Sequence, residues 1–177
     1  MAPTTWNFDP AHSEISFKVR HMMFSKVSGF FGDWEGDFTF DPDDPTAADI
    51  DVAIKAKSIN TNNEDRDQHL ISEDFLDVEN HPVIKFESTK MDAGGDGDLT
   101  LAGNLTIRGE TREVELDVDY HGKAVDPWGN DRVGFSATTT LNRKDFGLTW
   151  NQALEAGGVL VGDKVEVELN VQAISGE

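Results

Sequence analysis

The chain has no cysteine among its 177 residues, so disulfides, thiolate catalysis, cysteine-ligated zinc and iron–sulfur clusters are excluded. It also lacks any apolar run approaching the roughly 18 residues that a membrane-spanning helix requires. Positive charge is scarce, because 15 Lys and Arg stand against 34 Asp and Glu, giving a net charge of −19. This balance argues against a nucleic-acid partner, which requires a basic face, and against electrostatic docking on an anionic membrane. We therefore expect no nucleic-acid partner and no stable membrane insertion.

The length and the first residues set two further expectations. A chain of 177 residues corresponds to a single domain, here residues 1–177, and its 37% of hydrophobic residues are enough to build a core. The opening segment, Met1–Trp6, has neither the basic nor the apolar stretch of a secretory signal. These features predict a cytoplasmic protein.

What the sequence does contain is apolar residues at every second position. Side chains alternate between the two faces of a strand, so each such segment has one apolar and one polar face. The eight segments are residues 15–21, 30–40, 50–57, 84–88, 99–107, 114–120, 133–141 and 165–173. Strands of this kind bury their apolar faces together in a closed antiparallel barrel or a sandwich. A small barrel is either filled by side chains or holds one elongated ligand, and the alternation does not distinguish the two.

The alternation is interrupted between residues 61 and 77. Thr61 is followed three residues later by Glu64, which is the spacing of a capping box, and Ser72 opens a second turn-like stretch. We predict one or two short helices in the 61–77 connection. The link Arg108–Glu110 is short enough to predict a tight hairpin between two strands.

The candidate ligand-binding residues are those on the apolar side of the strands, with two aromatic residues from a loop. They are Phe17, Val19, His21, Phe30, Trp34, Phe38, Ile54, Phe86, Leu105, Phe135, Leu141, Phe146 and Trp150. His21 is the one polar member, and it either bonds to a neighbour at the barrel rim or contacts a ligand head group. Trp128 and Trp150 lie in loops, where they either cap the barrel end or line a ligand mouth.

Residues that carry catalysis are not apparent in the sequence. The five histidines show no metal-ligand spacing, and there is no nucleophile elbow or phosphate loop. We expect no catalytic residue, no metal and no cofactor, and therefore binding rather than catalysis. Arg143 and Lys144 stand beside apolar residues, where they either balance local charge or contact an anionic head group.

Several motifs, taken in order, resemble one known family. They are Trp6–Ser13, residues 17–21 with 27–31, residues 58–77, residues 82–86, residues 103–109 and residues 143–148. Together they run from about residue 6 to residue 173 and resemble the YceI-like family of polyisoprenoid-binding, lipocalin-like proteins. The stretch from Ser58 to Asp77 is the most specific of them.

The resemblance implies an all-β fold, an extended eight-stranded antiparallel lipocalin-like barrel with a short helical insertion. It also implies non-enzymatic binding, transport or storage of a long amphiphile in an apolar pore, most often an isoprenoid such as a polyprenyl phosphate or a quinone. A homodimer is expected because dimers are common in the family. A phosphate head group would need Arg20, Arg143 or Lys144 at the mouth, whereas a quinone would not.

Two other functions remain compatible with the residues. A filled barrel would act as a stress-related interaction scaffold and carry no small molecule. An enzyme of unknown type would use His21 as an acid or base on a bound apolar substrate.

Overall fold

Antiparallel strands make up most of the molecule. The computed structural model describes residues 4–94, 98–154 and 158–176, so the predicted domain limits at residues 1 and 177 lie outside it. Within these ranges the strands are β1 Thr4–Phe8, β2 Glu14–His21, β3 Ser25–Phe31, β4 Trp34–Asp41, β5 Asp44–Lys55, β6 Ile59–Asn60, β7 Val83–Ala93, β8 Leu99–Ile107, β9 Glu110–Val125, β10 Asp131–Asn142 and β11 Val161–Ser175. The α-helix α1 is Glu64–Ile71, and short 3-10 turns occupy Pro10–His12, Ala56–Ser58 and Arg143–Phe146.

The first strand closes the sheet into a barrel. β1 pairs with β11 along one edge and with β4 along the other, so the sheet has no free edge at this point. β1 and β2 both pair with β11, at successive positions along it. β4 pairs with β1 and β3 pairs with β2, so β1 with β2, and β3 with β4, each act as one interrupted strand. The result is a closed eight-stranded antiparallel barrel, which confirms the predicted fold.

The helix begins differently from the prediction. Asn63, not Thr61, is the N-cap, and its side-chain oxygen accepts a hydrogen bond from the backbone N–H of Arg66 at 2.9 Å. Thr61 instead donates its backbone N–H to the carboxylate of Asp67 at 2.9 Å. The predicted capping box is therefore wrong. Residues 72–77 form a turn rather than a second helix.

Aromatic side chains fill one end of the barrel, here called the packed end. Phe38, Phe40 and Phe135 are buried, and the rings of Phe40 and Phe135 meet edge to face at 5.0 Å. Trp6 lies against them and donates its indole N–H to the carbonyl of Phe40 at 3.2 Å. Phe38 and Phe135 were predicted to line a ligand channel, and the structure places both in this packed cluster.

The break between β3 and β4 changes which residues face inward. Gly32 and Asp33 separate the two strands, so the inward positions are odd-numbered before the break and even-numbered after it. Phe31 faces the ring of Phe17 at 5.7 Å, whereas Phe30 is opposite Ser16 on the outer face and is 39% exposed. The prediction that Phe30 lines the interior is wrong, because the alternation of residues 30–40 does not continue unchanged across this break.

Three inward rings lie directly over glycines of a neighbouring strand. A methyl group added at the glycine would collide with the ring in each pair. The pairs are Phe86 on Gly103, Phe17 on Gly29, and Phe8 on Gly36. A glycine in a strand allows this close approach, because it has no Cβ between the ring and the backbone.

We predict that Gly103→Ala destabilises the fold by about 1–3 kcal/mol, the usual range for overpacking a tight site. Its methyl would lie 2.6 Å from the Glu87 carbonyl oxygen as well as against the Phe86 ring. Urea unfolding measures the change. Gly134→Ala is the matched control, since its nearest neighbour would be the His121 Cβ at 3.7 Å. Equal effects at the two positions would contradict this account.

One arginine ties the turns at the packed end together. Arg132 donates from Nη1 to Asp9 at 2.7 Å and from Nε to Asp126 at 2.8 Å. The hydrogen bond from Arg132, followed by one from His12, lowers the pKa of Asp9 to about 2. The cluster thus joins the 3-10 turn before β2 to the β9–β10 turn.

We predict that Arg132→Gln lowers the free energy of unfolding at neutral pH and that the difference from the unmodified protein shrinks in acid. A carboxylate with a depressed folded-state pKa stabilises the fold above its ordinary pKa, and this contribution is lost as pH falls. For Asp9 the loss occurs between pH 3.8 and about 2. Measuring the free energy of unfolding across this pH range tests the prediction. Lys123→Gln is the control, because the ion pair of Lys123 with Asp131 is exposed and 3.6 Å long. A difference between Arg132→Gln and the unmodified protein that stays constant down to pH 2 would refute it.

Candidate functional site

The inner surface near the other end of the barrel, here called the open end, is lined by apolar side chains that are only half-buried. These residues, named the inner wall, are Phe17, Val19, Leu141, Val165 and Val167. They are neighbours in the sheet, since Val165 is opposite both Val19 and Leu141, and Val167 is opposite Phe17. Val19, Leu141, Val165 and Val167 belong to neither cluster of packed core residues, whereas Phe17 packs against one of them. The inner wall is therefore less tightly packed than the core.

Other inward apolar residues are also half-buried, among them Trp34 on β4 and Leu105 and Ile107 on β8. They pack against a second core cluster, which consists of Ile15, Ile54, Ala56, Ile59, Leu76 and Ile84. Phe8 holds the Trp34 ring edge to face at 5.3 Å. Ile54 and Phe86 are also predicted to line the interior. Ile54 is buried in the second core cluster, whereas Phe86 is half-buried and packs against the cluster of the packed end.

His21 is the polar group at the open end of the inner wall. It shares the inward side of β2 with Phe17 and Val19, lies opposite Val161 and Ser25, and is half-buried. Among the described residues, its ring has no hydrogen-bonding partner. The interpretation in which a neighbour holds His21 at the rim is therefore not what the structure shows. Its ring nitrogens remain free to contact a ligand.

Arg143 supports a loop. It is 3% exposed, and its guanidinium donates to the backbone carbonyls of Gly162 at 2.8 Å and Trp150 at 2.9 Å, and also to those of Leu148 and Val161. Burial lowers the pKa of Arg143, while the charge of Asp163 raises it. Because its N–H groups already donate to backbone carbonyls, Arg143 is not available to bind a ligand head group. Lys144 is exposed and pairs with Asp163 at 3.4 Å, which is local charge balance.

The remaining predicted aromatic residues hold the open-end loops in place or lie far from them. Phe146 is buried, with 2% exposure. Trp150 packs edge-on against His69 at 4.6 Å and meets the Phe75 ring at 5.4 Å, so it braces the turn that follows α1. Trp128 is 79% exposed in the turn between β9 and β10, at the packed end. It neither caps the barrel nor lines a mouth at the open end, so both interpretations of Trp128 are wrong.

The structure places only some of the predicted site residues next to one another. It brings Phe17, Val19, His21 and Leu141 together at the open end. Val165 and Val167 complete this surface and were missed, although the alternation of residues 165–173 is the signal that identifies them.

Acidic side chains cluster on the outer face of β4, β5 and β7. Asp51 illustrates this, because burial and the nearby charges of Asp49, Glu87 and Asp37 on the outer face raise its pKa. In residues 4–94, 98–154 and 158–176, no three His, Asp or Glu side chains are placed to hold a metal ion. Nor does any helix in these ranges have the length and apolar character to cross a bilayer.

We predict that Arg143→Gln destabilises the protein by about 2–4 kcal/mol, because a buried charged donor bonded to several carbonyls is lost. Lys144→Gln is the matched control and should change stability by less than about 1 kcal/mol, since it breaks only an exposed pair. Urea unfolding and limited proteolysis within residues 147–154 measure these two effects. Equal stability of the two variants would show that Arg143 does not hold the loop.

Comparison with known proteins places this architecture in a family. Residues 6–173 match the YceI-like domain. A UPF0312 protein of Pseudomonas savastanoi pv. phaseolicola is 41% identical over 137 residues, which cover 77% of this chain and 71% of that protein. The Campylobacter jejuni YCEI protein structure is 30% identical, with a TM-score of 0.77, over 89% of this chain and 90% of that one. A polyisoprenoid binding domain from Saccharophagus degradans shares the fold, with a TM-score of 0.69 and 12% identity over 96% of this chain and 98% of that domain. The chain belongs to the YceI-like family.

Proposed function

We propose that the protein binds one long-chain amphiphile, an isoprenoid, with its apolar chain in the space beside the inner wall. The observation that carries this proposal is the half-buried state of Phe17, Val19, Leu141, Val165 and Val167 inside a closed barrel. Apolar side chains left partly uncovered in an interior gain free energy when an apolar ligand covers them. Each buried methylene of the ligand would contribute about 0.8 kcal/mol.

The packed end limits how far a ligand chain can enter. Phe38, Phe40 and Phe135 are almost fully buried, so they close the barrel beyond the inner wall. A ligand would therefore enter from the open end, chain first, and leave its polar group near His21. Binding sites of this kind combine an apolar cavity with a few polar groups that fix the orientation of the ligand.

The polar groups at the open end favour an uncharged head group. Arg143 donates to loop carbonyls and Lys144 pairs with Asp163, so neither supports a phosphate. Arg20 lies on the outer face of β2, opposite Lys26, and so does not face a head group at the inner wall. His21 can both donate and accept a hydrogen bond, which suits a carbonyl or hydroxyl oxygen. We therefore favour a quinone over a polyprenyl phosphate.

The choice of an isoprenoid is supported by the shared fold of the polyisoprenoid binding domain from Saccharophagus degradans. We propose binding without turnover, with His21 as an orienting contact rather than an acid or base. The scaffold alternative requires a filled interior, which fits the packed end but not the partly uncovered inner wall.

We predict that Val167→Phe weakens the binding of a long-chain ubiquinone about tenfold, because the added ring occupies the space that the ligand needs. Glu168→Phe is the matched control, since the neighbouring position faces outward and is exposed. Quenching of tryptophan fluorescence by the quinone reports binding, with Trp34 facing the site. Mass spectrometry of an organic extract tests separately whether freshly purified protein carries a lipid.

Unfolding curves would show that both variants fold. A quinone affinity unchanged in Val167→Phe, or reduced equally in Glu168→Phe, would rule out binding beside the inner wall. An extract free of lipid, together with no quinone binding, would favour the scaffold function.

A further inference from the structure

The turn between β2 and β3 exposes three consecutive apolar side chains. Met22, Met23 and Phe24 are 40%, 50% and 79% exposed, and the adjacent Val159 is 37% exposed. We call these four residues the tip patch. They make up most of the large hydrophobic residues that are exposed in the described part of the chain. Scattered single apolar residues are normal on a surface, whereas a contiguous group signals an interaction.

The backbone of this turn is held in an unfavourable conformation. Met22 and Met23 have φ of 54° and 69°, in the left-handed region that favours glycine or asparagine. The turn is nevertheless fixed, because Met22 donates its N–H to the carbonyl of Leu160 at 2.9 Å and Arg20 donates to the carbonyl of Met23 at 3.2 Å. Strain maintained by surrounding contacts is typical of functional segments. An apolar pair is thus kept where a polar pair would fit the backbone better.

The stem of the same hairpin carries an excess of positive charge. Arg20 and Lys26 lie directly opposite one another on β2 and β3, an arrangement that is unfavourable by itself. Lys18 is nearby, and one carboxylate, Glu166, faces the three cations, with Lys26 at 3.0 Å. In a chain of net charge −19, this local excess stands out. Charges more than about 8 Å away are screened at physiological salt, so a surface touching the tip would meet mainly the cations.

The tip patch lies beside the entrance to the inner wall. Val19 and His21 are the last inward residues of β2, and the tip follows immediately. A residue advances about 3.3 Å along a strand, so the exposed side chains and the open end are within a few residues of each other. A surface held by the tip patch would therefore face the open end.

We infer that the tip patch docks on a lipid bilayer, with Met22, Met23 and Phe24 among the head groups and the cations of the stem against anionic lipids. An apolar amphiphile residing in that bilayer would then have a short path to the inner wall, and this second clause rests on the proposed function. Docking is peripheral and end-on, because the acidic outer faces of the barrel would be repelled by an anionic surface.

Co-sedimentation with ligand-free vesicles tests docking directly. Vesicles of phosphatidylcholine mixed with phosphatidylglycerol should bind the protein more tightly than pure phosphatidylcholine, and added salt should weaken the difference. Phe24→Ser should weaken binding about tenfold, as expected when one large apolar side chain no longer inserts. Trp128→Ser is the matched control, because Trp128 is equally exposed, at 79%, but lies at the packed end.

A second variant separates docking from folding. Met22→Asn with Met23→Gly places the residues preferred by the left-handed backbone in the turn, so unfolding should show equal or greater stability. Vesicle binding should nevertheless fall by a similar factor to that of Phe24→Ser. A protein that keeps its vesicle affinity in this variant would overturn the proposal.

Other outcomes also decide between explanations. No vesicle binding by the unmodified protein, or an equal loss in Trp128→Ser, would overturn docking by the tip patch. If Phe24→Ser instead reduces self-association in analytical ultracentrifugation and leaves vesicle binding unchanged, the patch contacts a second copy and the proposal fails. Quinone delivered in detergent, without vesicles, tests the proposed function separately. Loss of quinone binding with intact vesicle docking contradicts only the proposed function, and loss of docking with intact quinone binding contradicts only docking.

Discussion

The width of an eight-stranded barrel is the constraint on which the rest of this structure depends. Such a barrel is only just wide enough for its own side chains to fill it, so the size of each inward residue decides whether the interior is solid or hollow. At one end aromatic rings such as Phe40 and Phe135 meet across the axis and fill it. At the other end aliphatic residues such as Val165 and Leu141 are half-buried and belong to neither packed cluster. One closed sheet therefore contains both a core and the proposed binding surface.

The glycines of the sheet extend this effect to large side chains. Phe17 and Phe86 are as bulky as the rings of the packed end, yet each lies over a glycine of the adjacent strand. The missing Cβ lets each ring pack directly on the adjacent strand. Substituting alanine for such a glycine would displace the ring that lies over it and so change the interior.

The alternation of apolar residues predicted most of the strands, because each inward face must be apolar, but it did not distinguish a barrel from a sandwich. The short link Arg108–Glu110 predicted the hairpin, and the closed eight-stranded barrel followed from the family resemblance. It failed at Phe30, where two residues between β3 and β4 reverse the alternation and leave no mark in composition. The role of Arg143 was also beyond sequence reasoning, since its carbonyl partners are brought together only by the folded loop. Phe38 and Val19 share an inward pattern, and only the fold shows that Phe38 belongs to a packed cluster and Val19 does not.

The pairing of β1 with β11 has a consequence for the order in which the molecule assembles. This contact joins Trp6 to Ser175 and is reinforced by a hydrogen bond from the Gly176 N–H to the Thr5 carbonyl at 2.9 Å. Contacts between residues so distant in sequence carry a large loop-closure entropy and slow the folding of β proteins. During synthesis on the ribosome, β1 must wait for nearly every later strand to emerge before it can pair with β11. Until then the nascent sheet has an unpaired edge, which makes this the stage most open to chaperone binding or to association between chains.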